Sequence, residues 1–138
     1  MPQKPEKESP ALRQLVQRAR DARANAYAPY SHYAVGAALR AASGKVYVGA
    51  NVENASYPVG LCAERVAVFS AVAEGERKFL SLAVVTADGA APCGACRQAL
   101  AEFGLGLEVV LADETGSIRQ MIMLEKLLPM AFGEKSKS

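Results

Sequence analysis

Leu80-Ser81-Leu82-Ala83-Val84-Val85-Thr86-Ala87, followed by Pro92-Cys93-Gly94-Ala95-Cys96 and then by Leu107-Glu108-Val109-Val110-Leu111, decides the fold. The first run is almost unbroken in apolar character, the pattern of a strand covered on both faces. The last run has the same character and is short enough to be a second buried strand. Between them Cys93 to Phe103 reads as a helix that stops at Gly104. Strand, helix, strand at this spacing is a crossover unit with helices packed against a sheet.

Working outward, Leu61 to Ala73 reads as another apolar helix, ending at Gly75. Before it, Tyr33 to Ala42 and Val46 to Val52 are strand-like, and Ser43-Gly44-Lys45 joins them as a hairpin. Ser9-Pro10 marks a helix start, with an N-cap followed by proline at the first helical position. Leu12, Leu15, Val16, Ala19, Ala22 and Ala26 then recur at helical spacing until Pro29. The opposite face carries Arg13, Arg18, Arg20 and Arg23, which reads as a solvated face in preference to a stripe for RNA. Downstream, Ser117 to Ile122 is a weaker strand, and Leu124 to Leu128 a short helix before Pro129.

The order α-β-β-α-β-α-β-β-α predicts an α/β protein, a three-layer α/β/α sandwich around a five-stranded mixed sheet. Ligands in such sheets bind at the carboxyl ends of strands, near helix N-termini. Residues 10–132 are expected to form one domain, with residues 1–9 a flexible lead-in and 133–138 a flexible tail.

The 138 residues suit a single domain, and 51% apolar content is enough to build a core. Sixteen Lys+Arg against fourteen Asp+Glu leave a charge of +2, which argues against a protein that coats nucleic acid or anionic membrane. No apolar run is long enough to span a bilayer, and Met1 to Ser9 has no apolar signal core, so the expected location is the cytoplasm. The cysteine count is three, an odd number that disfavours a disulfide framework and favours metal binding or reactivity.

Those cysteines stand at informative places. Cys62 opens one helix, while Cys93 and Cys96 open the next, three residues apart, so that their sulfurs converge on one side. Three thiolates meeting one ion select zinc, and three protein ligands leave a fourth position open, as in a catalytic site. Glu64 stands two residues after Cys62, a carboxylate beside the metal that is not needed as a ligand. Cys-x-Glu with a downstream Pro-Cys-x-x-Cys is the zinc-deaminase pattern, with Cys62 where many members carry His. Three thiolates on one dication leave a net negative charge. The helix N-termini offset part of it, and Arg65, three residues after Cys62, is placed to hydrogen-bond a thiolate.

Other readings compete. Cys93 and Cys96 could be a redox pair at a helix start, but this leaves Cys62 and Glu64 unexplained. His32 could complete a closed Cys₃His structural site, although it lies outside ligand-like spacing. The three thiols could also be plain buried apolar groups.

Asn51-Val-Glu53-Asn-Ala-Ser-Tyr57-Pro, Cys62-Ala63-Glu64-Arg65 and Pro92-Cys93-Gly-Ala-Cys96-Arg-Gln resemble the short, homotetrameric type of zinc-dependent cytidine deaminase. Pro29-Tyr-Ser31, Val35-Gly-Ala-Ala-Leu39 and Leu127-Leu-Pro129-Met-Ala-Phe132 match its pattern as well. The resemblance implies the cytidine deaminase-like fold and one zinc per subunit on Cys62, Cys93 and Cys96. It makes Glu64 the proton shuttle and places Ala63 among the substrate-contacting residues. Asn51 and Glu53 would hydrogen-bond ribose and base; by their types alone they read equally well as strand-end and turn residues.

Tyr33 falls where the family usually stacks a Phe on the pyrimidine, and its added hydroxyl requires a partner. Tyr57 and Phe132 would reach a neighbouring subunit's site, although each aromatic alone reads as core. The implied activity is deamination of cytidine and 2′-deoxycytidine in pyrimidine salvage, without nucleic acid or membrane partners. The alternatives are a related deaminase acting on a modified nucleoside such as blasticidin, a nucleic-acid-editing deaminase, and a non-enzymatic zinc-binding protein on the same fold.

Overall fold

A computed structural model describes residues 8–133; the rest of the expected lead-in and tail, residues 1–7 and 134–138, lies outside the described residues. Among the described residues, four α-helices and five strands follow one another as α1 (Pro10–Arg23), β1 (Gly36–Ala41), β2 (Val46–Ala50), α2 (Ala63–Ala73), β3 (Phe79–Val85), α3 (Gly94–Ala101), β4 (Glu108–Ala112), β5 (Ile118–Met123) and α4 (Leu124–Leu127). The strands form one sheet in the order β2-β1-β3-β4-β5. Only the β3–β4 pair is parallel, because α3 carries the chain back over the sheet between them; the other neighbours are antiparallel. The sheet is therefore mixed, as the order of elements implies.

Alternation along the inner strands sorts their side chains into two cores. Ala37 and Leu39 of β1, Leu82 and Val84 of β3, and Val109 and Leu111 of β4 face Ala67, Val68 and Ala71 of α2 and Leu100 of α3. Ala38, Ala83, Val85, Val110 and Ala112 point the other way, against Leu12, Leu15, Val16 and Ala19 of α1. Helices thus cover both faces, which is why Leu80–Ala87 reads as continuously apolar.

Two glycines let the layers close up. A Cβ on Gly36 would lie 2.6 Å from the Arg23 backbone nitrogen and closer still to the Ala19 carbonyl. One on Gly49 would lie 2.7 Å from the Ala67 nitrogen, against α2.

Element ends depart from the sequence reading where side chains intervene. Helix α1 starts as expected, with Ser9 Oγ accepting from Leu12 N at 3.1 Å. It stops at Arg23, short of Ala26, because Tyr27 exchanges backbone hydrogen bonds with Asn51 and Glu53 and draws the chain away. Strand β1 begins at Gly36, not Tyr33, because the Asn51 amide takes over the pairing there: it donates to Tyr33 O and accepts from Val35 N, both at 2.8 Å. Strand β3 ends at Val85, before Ala87, where Thr86 Oγ1 accepts from Gly89 N and Ala90 N and starts a turn. Helix α3 is shorter than Cys93–Phe103, and a 3-10 turn at Tyr57–Val59 lies in what reads as plain loop. Among the described residues, no helix is long and apolar enough to cross a membrane.

Candidate metal centre

Strands β2 and β3 run in the same direction with β1 antiparallel between them, so the helices that follow them start at the same edge of the sheet. Cys62 is the N-cap of α2 and Cys93 the N-cap of α3, both in extended backbone (φ −73° and −70°). Cys96 lies in the first turn of α3, fully buried. The three sulfurs lie within 4.8 Å of one another and are the only such group of potential metal-ligating side chains among the described residues; His32 is not part of it.

The donor set fits zinc. Sulfurs at tetrahedral corners about an ion with Zn–S bonds of about 2.3 Å stand about 3.8 Å apart. Here Cys62 Sγ and Cys93 Sγ are 3.8 Å apart, and Cys93 Sγ and Cys96 Sγ 3.6 Å. A thioredoxin-like pair would leave the third sulfur without a role, whereas a tetrahedral ion uses all three and retains one open corner.

Electrostatics favour thiolate at Cys62. Hydrogen bonding from Cys96, with help from Arg65 and Cys93, brings the Cys62 thiol down to about 5. The same Cys62–Cys96 contact, together with burial, pushes Cys96 up, so Cys62 gives up its proton the more readily of the two. Arg65 Nη2 donates to Cys62 Sγ at 3.5 Å, and the Cys62 thiolate in turn holds the guanidinium firmly in its charged form. Arg65 Nε is buried with no hydrogen-bond partner, so this side chain is held chiefly by its contact with the sulfur.

Glu64, in the first turn of α2, is only 4% exposed. Burial pushes its carboxyl up, and the neighbouring Cys62 charge adds to that. A buried carboxyl whose affinity for a proton is raised is suited to accept one and return it.

Cys62 and Cys93 open onto a cleft, while Cys96 stays buried behind them. Its inner part, about 260 Å³, is lined by Glu64, Cys62, Cys93, Tyr33, Asn51 and Glu53 among others. An outer part of about 530 Å³ shares Ser31, Asn51, Glu53 and Cys62 and extends to Tyr30, Tyr57 and Arg65. Glu53 is clamped where the two parts meet: Oε1 accepts from Tyr30 N at 2.9 Å and from Ser31 N at 3.1 Å, while Oε2 accepts from the Ser31 hydroxyl. The Ser31 hydroxyl, ahead of the other contacts, holds the Glu53 carboxyl below its ordinary range. Tyr57 is exposed and meets Tyr30 edge to face at 5.8 Å.

Ala63 is fully buried against β2 and lines neither part. Phe132 is 85% exposed and also lines neither, while its carbonyl accepts from Gln98 Nε2 at 3.0 Å. Sequence reasoning did not single out Ser31 as the clamp on Glu53, nor Thr86 and Asp88 beside Tyr33. These pairs are far apart in the chain, and no local spacing announces them.

Comparison with known proteins agrees with this geometry. A family model for the cytidine and deoxycytidylate deaminase zinc-binding region matches residues 10–112. The chain is 45% identical over 130 residues to a cytidine deaminase of Sporosarcina psychrophila, covering 92% of this chain and 95% of that one. It is 47% identical over 121 residues to a cytidine deaminase of Halalkalibacterium halodurans, covering 86% and 91%. The crystal structure of cytidine deaminase from Burkholderia pseudomallei superposes with a TM-score of 0.82 at 51% identity, covering 86% of this chain and 97% of that one.

Proposed function

The chain belongs to the cytidine and deoxycytidylate deaminase zinc-binding family, and from that premise we propose that it hydrolyses cytidine and 2′-deoxycytidine to uridine and 2′-deoxyuridine with release of ammonia. The convergence of Cys62, Cys93 and Cys96 at tetrahedral spacing, beside a buried Glu64 and at the floor of a cleft, carries this reading. These three thiolates would hold the zinc. When bound, zinc supplies the Lewis acidity that readies water as a nucleophile near neutral pH.

Glu64 does the proton work. Its carboxylate takes a proton from the attacking water and delivers it to ring N3, which draws electrons from C4. Water oxygen adds at C4 as a hydroxyl, and Glu64 then takes the remaining proton from that hydroxyl and passes it to the departing 4-amino nitrogen, so that the C4–N bond breaks, ammonia leaves and the carbonyl forms. Burial supports this role by pushing the carboxyl up from its ordinary range, which makes it a better proton acceptor. Arg65 offsets the negative charge of the thiolates.

Asn51 and Glu53 hydrogen-bond the nucleoside from the cleft wall, and both retain hydrogen-bonding capacity beyond their backbone contacts. The Tyr33 ring packs on the base. Residues 10–132 act as one domain. The working form is a homotetramer, with Tyr57 and Phe132 reaching sites across subunit boundaries; their exposure in the single chain supports this. The setting is pyrimidine salvage in the cytoplasm.

The test is near-ultraviolet absorbance and ammonia release from zinc-loaded protein with cytidine, with 2′-deoxycytidine, and with a deoxycytidine-containing oligonucleotide. Turnover of the free nucleosides alone is the expected result. Turnover of the oligonucleotide, or of neither substrate by protein holding one zinc per chain, would overturn the substrate assignment.

A further inference from the structure

We propose that Asp88 is a positioning residue of this site, holding the Tyr33 ring in the cleft wall and pinning the segment that leads into Cys93; the inference rests on the nucleoside-deaminase reading above. The Tyr33 hydroxyl donates to Asp88 Oδ1 at 2.7 Å, across 55 positions of chain. Thr86 Oγ1 donates to the same oxygen at 3.2 Å and accepts from Gly89 N at 2.8 Å and Ala90 N at 2.9 Å. One carboxylate thus ties the segment before β1 to the loop between β3 and α3.

Tyr33 lines the inner cleft, as do Thr86, Ala90, Ala91 and Cys93 from the segment that contains Asp88, and Glu64 lines the same cavity. Residues 86–92 form no helix or strand, so side-chain bonds fix the path by which the chain enters α3 at Cys93. The Tyr33 hydroxyl is the leading influence holding the Asp88 carboxyl below its ordinary range, so the acceptor is charged and the bond stronger than a neutral one. Phenylalanine at position 33 would keep the ring and sever the tie. Tyr33 is 38% exposed, so packing alone does not set its ring orientation.

The test compares zinc-loaded wild type with Asp88→Ala, Asp88→Asn, Tyr33→Phe and the Asp88→Ala/Tyr33→Phe double variant. Cytidine kinetics, zinc per chain and amide hydrogen exchange are measured on each. Asp88→Ala and Tyr33→Phe should each raise KM about fivefold with a smaller change in kcat, the worth of one hydrogen bond. The double variant should be no worse than the worse single, and Asp88→Asn, which can still accept, should recover most of the loss. Exchange at residues 86–91 should quicken in both single variants while zinc stays at one per chain.

Additive losses, or unchanged KM and unchanged exchange, would overturn the inference. A wild type inactive on cytidine would overturn the deaminase reading instead, and the exchange measurement would still decide the role of Asp88.

Discussion

Ser31 and Glu53 are bound to each other twice, the Ser31 hydroxyl donating to Glu53 Oε2 and the Ser31 backbone nitrogen to Oε1 at 3.1 Å. The bonds join the turn after α1 to the segment after β2 and aim a carboxylate into the cleft. Ser31→Ala removes one donor to Glu53 and the acceptor of Tyr33 N, and leaves the bonds from Tyr30 N and Ser31 N to Glu53 in place. Its expected effect is a rise in KM for cytidine of about tenfold, with kcat changed less, because a mis-aimed Glu53 weakens nucleoside binding more than the proton transfers. Steady-state kinetics check this; an equal loss in kcat alone would detach Glu53 from binding.

Arg65 answers the charge of the thiolates through one contact at 3.5 Å. Arg65→Ala leaves that charge uncompensated, so zinc affinity should fall by about 10- to 100-fold and kcat with it. Competition against a chelator reads the first effect and turnover at saturating zinc the second.

The position of α1 depends on Gly36 having no side chain. Gly36→Ala drives a methyl into the Ala19 carbonyl and the Arg23 nitrogen, both backbone atoms that cannot swing aside. A loss of about 1–3 kcal/mol or more is expected in chemical denaturation. The Gly44→Ala control meets no atom within 4 Å, but its φ of +96° carries a left-handed cost of its own, so its loss should be the smaller.

Asp113 anchors the β4–β5 connection. Its carboxylate accepts from Thr115 and Ser117 and pairs with Arg119 at 2.8 Å, and these bonds, Thr115 first, hold its pKa down to about 2 from an ordinary 3.8. A folded-state pKa below the unfolded one adds stability that is complete above about pH 4 and drains away as pH falls toward 2. The melting-temperature gap between wild type and Asp113→Asn should therefore be widest near neutral pH and narrow as the pH drops through this window. A gap that widens with acid would contradict the assignment.

Much of this molecule could be read from local pattern. Leu80–Ala87 is almost unbroken in apolar character because α1 covers one face of β3 and α2 with α3 the other, so the layered architecture is written in a single strand. The clustering of Cys62, Cys93 and Cys96 was equally legible, since they occupy helix starts whose spacing in the sequence is that of metal ligands. Strand ends were not legible. The Asn51 side chain replaces ladder bonds at Tyr33 and Val35, and Thr86 turns the chain at the end of β3. The Asn51 bonds reach backbone 16 and 18 positions away and the Thr86 bonds reach backbone three and four positions on; both are side-chain bonds that compete with the ladder, and strand propensity encodes neither. The clamp on Glu53 and the partner of the Tyr33 hydroxyl were hidden for the same reason, being 22 and 55 positions away.

The most direct test of the account separates proton transfer from metal binding at Glu64. Glu64→Gln keeps the shape of the side chain and removes its ability to carry a proton, so one preparation can be assayed for zinc content and for cytidine turnover together. The account predicts one zinc per chain and a fall in kcat of about 10²- to 10⁴-fold, the worth of a positioned acid–base group. Loss of the metal, which would make the carboxylate a ligand, or turnover near the wild-type rate would contradict it.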